Sequence, residues 1–126
     1  MVTTEDGYEL SLVRISGDEN GDPVTDVEGP MLFLHGLFED GLAWFDINNP
    51  TDIGITSQMF VAGFDVWIGF KRGTYYSRGH TDPTFDASAD AADPVHYQNY
   101  WRFTFEEIGL YDIPAMISKI MEVRRD

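Results

Sequence analysis

Cysteine is absent from the 126 residues, which excludes a disulfide scaffold, a thiol nucleophile and a cysteine zinc site. Basic residues are scarce: 8 against 22 acidic ones, for a formal net charge of -14. Such a chain is repelled by phosphate backbones and by anionic membrane surfaces, so no nucleic acid is expected as a partner. No apolar stretch approaches the roughly 20 residues needed to cross a bilayer, so no transmembrane segment is expected. The opening Met1-Val2-Thr3-Thr4-Glu5-Asp6-Gly7 lacks the basic start and apolar run of a signal peptide, and nothing in the residues assigns a compartment. His35, His80 and His96 have no ligand-like spacing. The acidic run beginning at Asp18 fails as an EF-hand loop, with Pro23 at its sixth position and Gly29 at its twelfth. Neither a metal nor a cofactor is expected. Gly-x-Ser-x-Gly is also missing, so the residues offer no strained elbow for a serine nucleophile. A triad of Ser77, His80 and Asp82 would be cramped into one loop and is rejected.

What is present is a foldable chain. The hydrophobic fraction is 43% and the aromatic fraction 14%, values foreign to a disordered acidic tail. Length predicts a single domain over residues 1–126. Residues 8–15 (YELSLVRI) read as a strand, 16–29 as an acidic turn or loop, and 31–34 (MLFL) as a strand buried on both faces, as in a parallel sheet. Residues 51–62 read as a helix, with Gly63 at its C-terminal cap, and 64–70 (FDVWIGF) as the next strand. Residues 71–93 read as loop. Residues 112–125 read as the best helix, with Asp112 as its cap and Pro114 in its first turn. Arg124 and Arg125 stand at its end, and an apolar stripe runs through Ile113, Met116, Ile117, Ile120 and Met121. Strands alternating with helices predict an α/β fold with a parallel sheet, and a last helix with no following strand leaves one sheet edge open.

Three patterns carry candidate chemistry. In Phe33-Leu34-His35-Gly36-Leu37 a buried strand runs straight into His-Gly, and glycine permits a tight turn at the carboxyl end of the strand, where open α/β sheets bind ligands. The alternative is an ordinary strand end with a turn glycine. Lys71, Arg72 and Arg78 lie within eight positions and form either an anion site or a set of carboxylate partners that fix their loop. Tyr100, Trp101, Phe103 and Phe105 either line an apolar pocket or anchor a loop as core.

Taken in order, these residues resemble the acid lipase family, which includes lysosomal and gastric lipases. The resemblance runs through Thr3-Thr4-Glu5-Asp6-Gly7-Tyr8 with Leu10, Leu12 and Arg14; His35-Gly36-Leu37 with Trp44; and Ala62-Gly63-Phe64-Asp65-Val66-Trp67 with Gly69. It continues through Arg72-Gly73, Tyr76-Ser77-Arg78, His80, Trp101 to Glu107 and Tyr111-Asp112-Ile113-Pro114-Ala115-Met116-Ile117. It implies the N-terminal part of an α/β-hydrolase with a mostly parallel sheet, interrupted before the strand that bears the nucleophile. It further implies hydrolysis of neutral lipid esters, acylglycerols or sterol esters, by Ser-His-Asp acyl transfer, and a secreted or lysosomal setting. Within it, the backbone N–H of Leu37, on the loop with His35 and Gly36, is the first oxyanion donor. The nucleophile, acid and base are not in this chain, so it is expected to be inactive alone and to be completed by a complementary C-terminal half. The alternative is a non-catalytic relic that binds lipid or protein.

Overall fold

Ser11 divides what the sequence presents as one strand. In the computed structural model, which describes residues 1–17, 28–45, 54–89 and 93–124, β2 (Tyr8–Leu10) and β3 (Leu12–Arg14) belong to different sheets. The Ser11 N–H donates to the Ser77 hydroxyl oxygen (2.9 Å), and its own hydroxyl donates to the Tyr76 carbonyl (2.5 Å). Its carbonyl accepts from the Phe70 N–H (3.0 Å). The residue stays fully bonded while leaving the ladder. The chain separates there into two compact units, Met1–Ser11 with Phe70–Asp126, and Leu12–Gly69.

The second unit holds a mixed three-stranded sheet in the order β3–β5–β4, where β4 is Gly29–Leu34 and β5 is Phe64–Gly69. β4 and β5 are parallel, with Leu34 opposite Gly69, while β3 runs antiparallel to β5. Between β4 and β5 lies α1 (Ile55–Val61), the helical half of the expected βαβ unit, packed against β5. Gly63 follows it at φ 94°, a conformation glycine adopts without strain, and so the helix stops and the strand begins. β5 is the central strand and is buried from Asp65 to Gly69. β4 was expected to be buried on both faces but is only half-buried. Among the described residues it has one strand neighbour, so its outer side is a sheet edge. Ile53 and the acidic segment 18–27, with the failed EF-hand pattern, lie outside the described residues.

The first unit carries a small antiparallel sheet, β1 (Val2–Thr3), β2 and β6 (Gly79–His80), in the order β1–β2–β6. The expected loop over 71–93 therefore contributes a two-residue strand. An unforeseen helix, α2 (Pro94–Tyr100), follows; Asp93 caps it through the His96 N–H, and Pro94 opens its first turn. That Asp-Pro pair was the local signal for a helix start.

The last helix does not start at Asp112. Thr104 caps α3 (Phe105–Glu107) by a capping box with Glu107, and the chain continues through a π turn, Ile108–Asp112, into α4 (Ile113–Val123). Asp112 has helical dihedrals and makes no side-chain cap bond. The π turn has a cause: Pro114 lacks an N–H and its ring crowds the carbonyl four residues back, so the preceding turn widens and the Ile113 N–H reaches Ile108 O. Of the apolar stripe on α4, Met116 and Ile120 are buried, and α4 lies against β1; Ile117 and Met121 face outward.

Candidate functional site

The turn after β4 carries the first candidate pattern. Leu34 closes the parallel pairing, and His35, buried, leads the chain off the sheet. The His35 ring nitrogen Nδ1 stands 3.0 Å from the Gly36 carbonyl oxygen. The Gly36 N–H donates to Glu39 Oε2 at 2.9 Å, so a carboxylate three residues on closes the turn. Asp40 then caps a short 3₁₀ turn (Gly41–Trp44) by accepting from the Leu42 N–H at 2.8 Å. Trp44 packs on Phe33, with ring centroids 5.2 Å apart, and its carbonyl accepts the Thr56 hydroxyl (2.8 Å), tying the turn to α1.

Between these fixed points lie two residues of a different character. The Leu37 N–H has no hydrogen-bond partner among the described residues, and the residue is 60% exposed. Phe38 is 98% exposed and adopts φ 61°, in the left-handed region. A backbone donor is thus presented at the carboxyl end of a parallel strand pair. Chemically, such a donor can hydrogen-bond to a carbonyl oxygen or to a developing oxyanion, which accepts. Glu39 and Phe38 were not foreseen. Glu39 was within reach of sequence reasoning as an acidic residue three positions after a turn glycine, whereas a positive φ at phenylalanine leaves no sequence signal.

The arginine cluster resolves differently for its members. Arg72 and Asp112 have fully buried side chains, and Arg72 Nε meets Asp112 Oδ1 at 2.7 Å. The Arg72 backbone N–H donates to Asp112 Oδ2 at 2.9 Å. Its two terminal nitrogens donate to the carboxylate of Asp6 at 2.7 and 2.9 Å, and its guanidinium lies 3.8 Å from the Tyr8 ring centroid. This is the reading in which arginine fixes its loop against carboxylates, here with planar bidentate geometry. Burial works to raise the Asp6 pKa, but hydrogen bonds from Arg72 and Thr4 outweigh it and hold the carboxyl below its ordinary value. Arg78 instead lies 5.8 Å from the Tyr75 ring centroid, with no ion pair among the described residues.

The aromatic run is core at its front. Tyr100 is fully buried; its hydroxyl donates to the Ser77 carbonyl (2.9 Å), and its own carbonyl accepts the Tyr8 hydroxyl (2.5 Å). Burial pushes the Tyr100 phenol up to about 12, so it stays neutral. Phe105 is exposed. The Ser77 hydroxyl is committed to the Phe70 carbonyl (2.8 Å) while accepting from Ser11, so it is not aimed at His80. The His80 ring is held from both sides: Nδ1 accepts from the Asp82 N–H (2.9 Å), which leaves Nε2–H to donate to the Asp6 carbonyl (3.0 Å). The ring also stacks on Phe85 at 4.2 Å. These three residues build the loop and make no nucleophile. Among the described residues no group of three histidines, aspartates or glutamates is placed to hold a metal ion, and no helix is long and apolar enough to cross a membrane.

Comparison with known proteins agrees with the motifs. A family model for a partial alpha/beta-hydrolase lipase region matches residues 1–47. Lipase 1 of Drosophila melanogaster is 38% identical over 122 residues, covering 97% of this chain and 23% of that protein. Triacylglycerol lipase 2 of Arabidopsis thaliana is 35% identical, over 94% of this chain and 26% of its own length. Human lysosomal acid lipase/cholesteryl ester hydrolase is also 35% identical, over 96% of this chain and 27% of its own. The chain therefore spans about a quarter of the length of the relatives it matches.

Proposed function

We propose, for a chain that is an acid-lipase relative along nearly its whole length, that it supplies the front of an α/β-hydrolase domain acting on neutral lipid esters. Residues 1–126 all belong to that one domain, at its N-terminal side, and the strand bearing the nucleophile is not among them. The names of the relatives support the substrate class: one is a triacylglycerol lipase and another a cholesteryl ester hydrolase.

The observation that carries the reading is the Leu37 N–H on the His35-Gly36 turn, which has no partner among the described residues. In acyl transfer a serine attacks the ester carbonyl, and its π electrons move onto the oxygen. A donor fixed in advance at that oxygen stabilises the charge without reorganising. Gly36 is bonded to Glu39, so it cannot be that donor in this arrangement, and Leu37 is left to serve. A second donor normally follows the nucleophile. No Gly-x-Ser-x-Gly occurs in the 126 residues, so by themselves they turn over no ester. The outer side of β4 is where a complementary half carrying that strand adds to the sheet.

The test is complementation. This chain is mixed or co-expressed with the remaining part of a lipase that carries the nucleophile, acid and histidine, and p-nitrophenyl ester turnover is followed. Turnover is expected only from the pair, and Leu37→Pro, which removes the N–H, lowers it by about 10²–10³. Turnover by this chain alone, or its stoichiometric labelling by a fluorophosphonate, would sink the reading. A second reading, a non-catalytic binder of lipid or protein, takes its support from the absent nucleophile motif and is favoured if the complemented pair stays silent.

A further inference from the structure

We infer that Phe38 selects the acyl chain of the ester whose carbonyl sits at Leu37, an inference that rests on the reading of Leu37 above. Phe38 is the one non-glycine residue with positive φ among the described residues. For an L-residue that conformation costs roughly 1–2 kcal/mol, and it is rarer still for a bulky side chain. Packing does not offset it, because the residue is 98% exposed. Glycine or asparagine would hold the same turn with less strain. A strained, exposed aromatic ring at a turn that presents an unpaired donor is the kind of feature that points to a ligand.

The chemistry of the turn narrows that ligand. Leu37 offers one N–H, suited to one carbonyl oxygen. Consecutive Cα atoms lie only about 3.8 Å apart, so the Phe38 ring reaches the chain attached to that carbonyl. Leu37 and Leu42 add exposed apolar surface on the same turn. Glu39, fixed on the neighbouring Gly36 N–H, places a carboxylate beside the donor and disfavours an anion such as a free fatty acid. The occupant is a neutral ester with an aliphatic acyl chain of several carbons.

Isotope-labelled protein titrated with methyl hexanoate and with methyl acetate tests this by NMR. Each buried methylene is worth up to about a factor of four, so burial of half of the four extra groups gives roughly a tenfold preference for the longer ester. Methyl hexanoate is expected to shift the Leu37 amide and the Phe38 ring together, and hexanoate ion to shift neither at the same concentration. Phe38→Gly relieves the strain, raises Tm and brings the preference for the longer ester well below tenfold; Phe38→Leu keeps it. Equal affinities in the unsubstituted chain, or a tenfold preference surviving in Phe38→Gly, overturns the inference. If the Leu37 amide responds without chain-length dependence, Phe38 is refuted and the donor stands. If ring shifts depend on chain length while the amide stays still, the donor is refuted alone.

Discussion

Replacing Asp112 distinguishes two roles that one carboxylate can play near a helix start. If Asp112 were a cap for α4, serine would replace it with little loss, because serine and aspartate cap almost equally well. In the structure the carboxylate instead holds the Arg72 guanidinium and the Arg72 backbone N–H, at 2.7 and 2.9 Å, with both side chains fully buried. Asp112→Ala leaves that N–H unsatisfied, at a cost of about 1–3 kcal/mol, and breaks one side of a buried ion pair, for which about 3–5 kcal/mol in total is usual. Asp6 keeps its two bonds to the guanidinium, so the lower half of that range, about 3 kcal/mol, is the expected loss. Asp112→Ser leaves a hydroxyl too short to span both donors and should lose nearly as much. Asp112→Asn, which keeps the shape and one acceptor, should fall between. Urea unfolding followed by tryptophan fluorescence reads these losses as shifts in midpoint at constant slope. The ion-pair account is refuted if Asp112→Ser matches the unsubstituted chain, or if Asp112→Ala costs less than about 1 kcal/mol.

Asp6 gives a pH prediction. Its folded pKa is lowered, so its contribution is complete above the unfolded value of about 3.9 and is lost as pH falls through the lower folded value. The stability gap between the unsubstituted chain and Asp6→Asn should therefore be constant near neutrality and close below about pH 4; a gap that widens in acid contradicts the assignment. Two glycines with positive φ separate strain from crowding. An added Cβ at Gly29 meets no described atom, whereas at Gly73 it would stand 2.7 Å from the Trp101 ring and 3.0 Å from that of Phe103. Gly29→Ala should cost about 1 kcal/mol from backbone strain alone, and Gly73→Ala clearly more, measured as Tm; equal losses would show that the aromatic pair yields freely.

Several elements were legible from the sequence because their causes are local. The apolar runs at 31–34 and 64–69 became the parallel pair, and Gly63 ended α1 where a residue free to take φ 94° was needed. The His35-Gly36 turn left the sheet at the carboxyl end, since a strand that meets a turn glycine has few other courses. The absence of Gly-x-Ser-x-Gly is a property of the sequence alone. The strand over 8–15 failed at Ser11 because its N–H and hydroxyl found Ser77 and Tyr76, some 65 residues away, and no local pattern registers such a competitor.

The sequence by itself thus determined the alternation of strands and helix, the glycine turn at the end of β4 and the missing nucleophile motif, all of which follow from neighbouring residues and their backbone preferences. Only the tertiary structure decided that Arg72 is shared by Asp6 and Asp112, 66 and 40 residues distant, that Asp112 faces inward from a π turn instead of capping α4, and that Phe38 is held at positive φ beside a free donor. The physical reason is common to the three. Which buried charges meet, and which residue absorbs the strain of a turn, is settled by closing the chain in space, where the desolvation of one group is offset by a partner that no local pattern can identify.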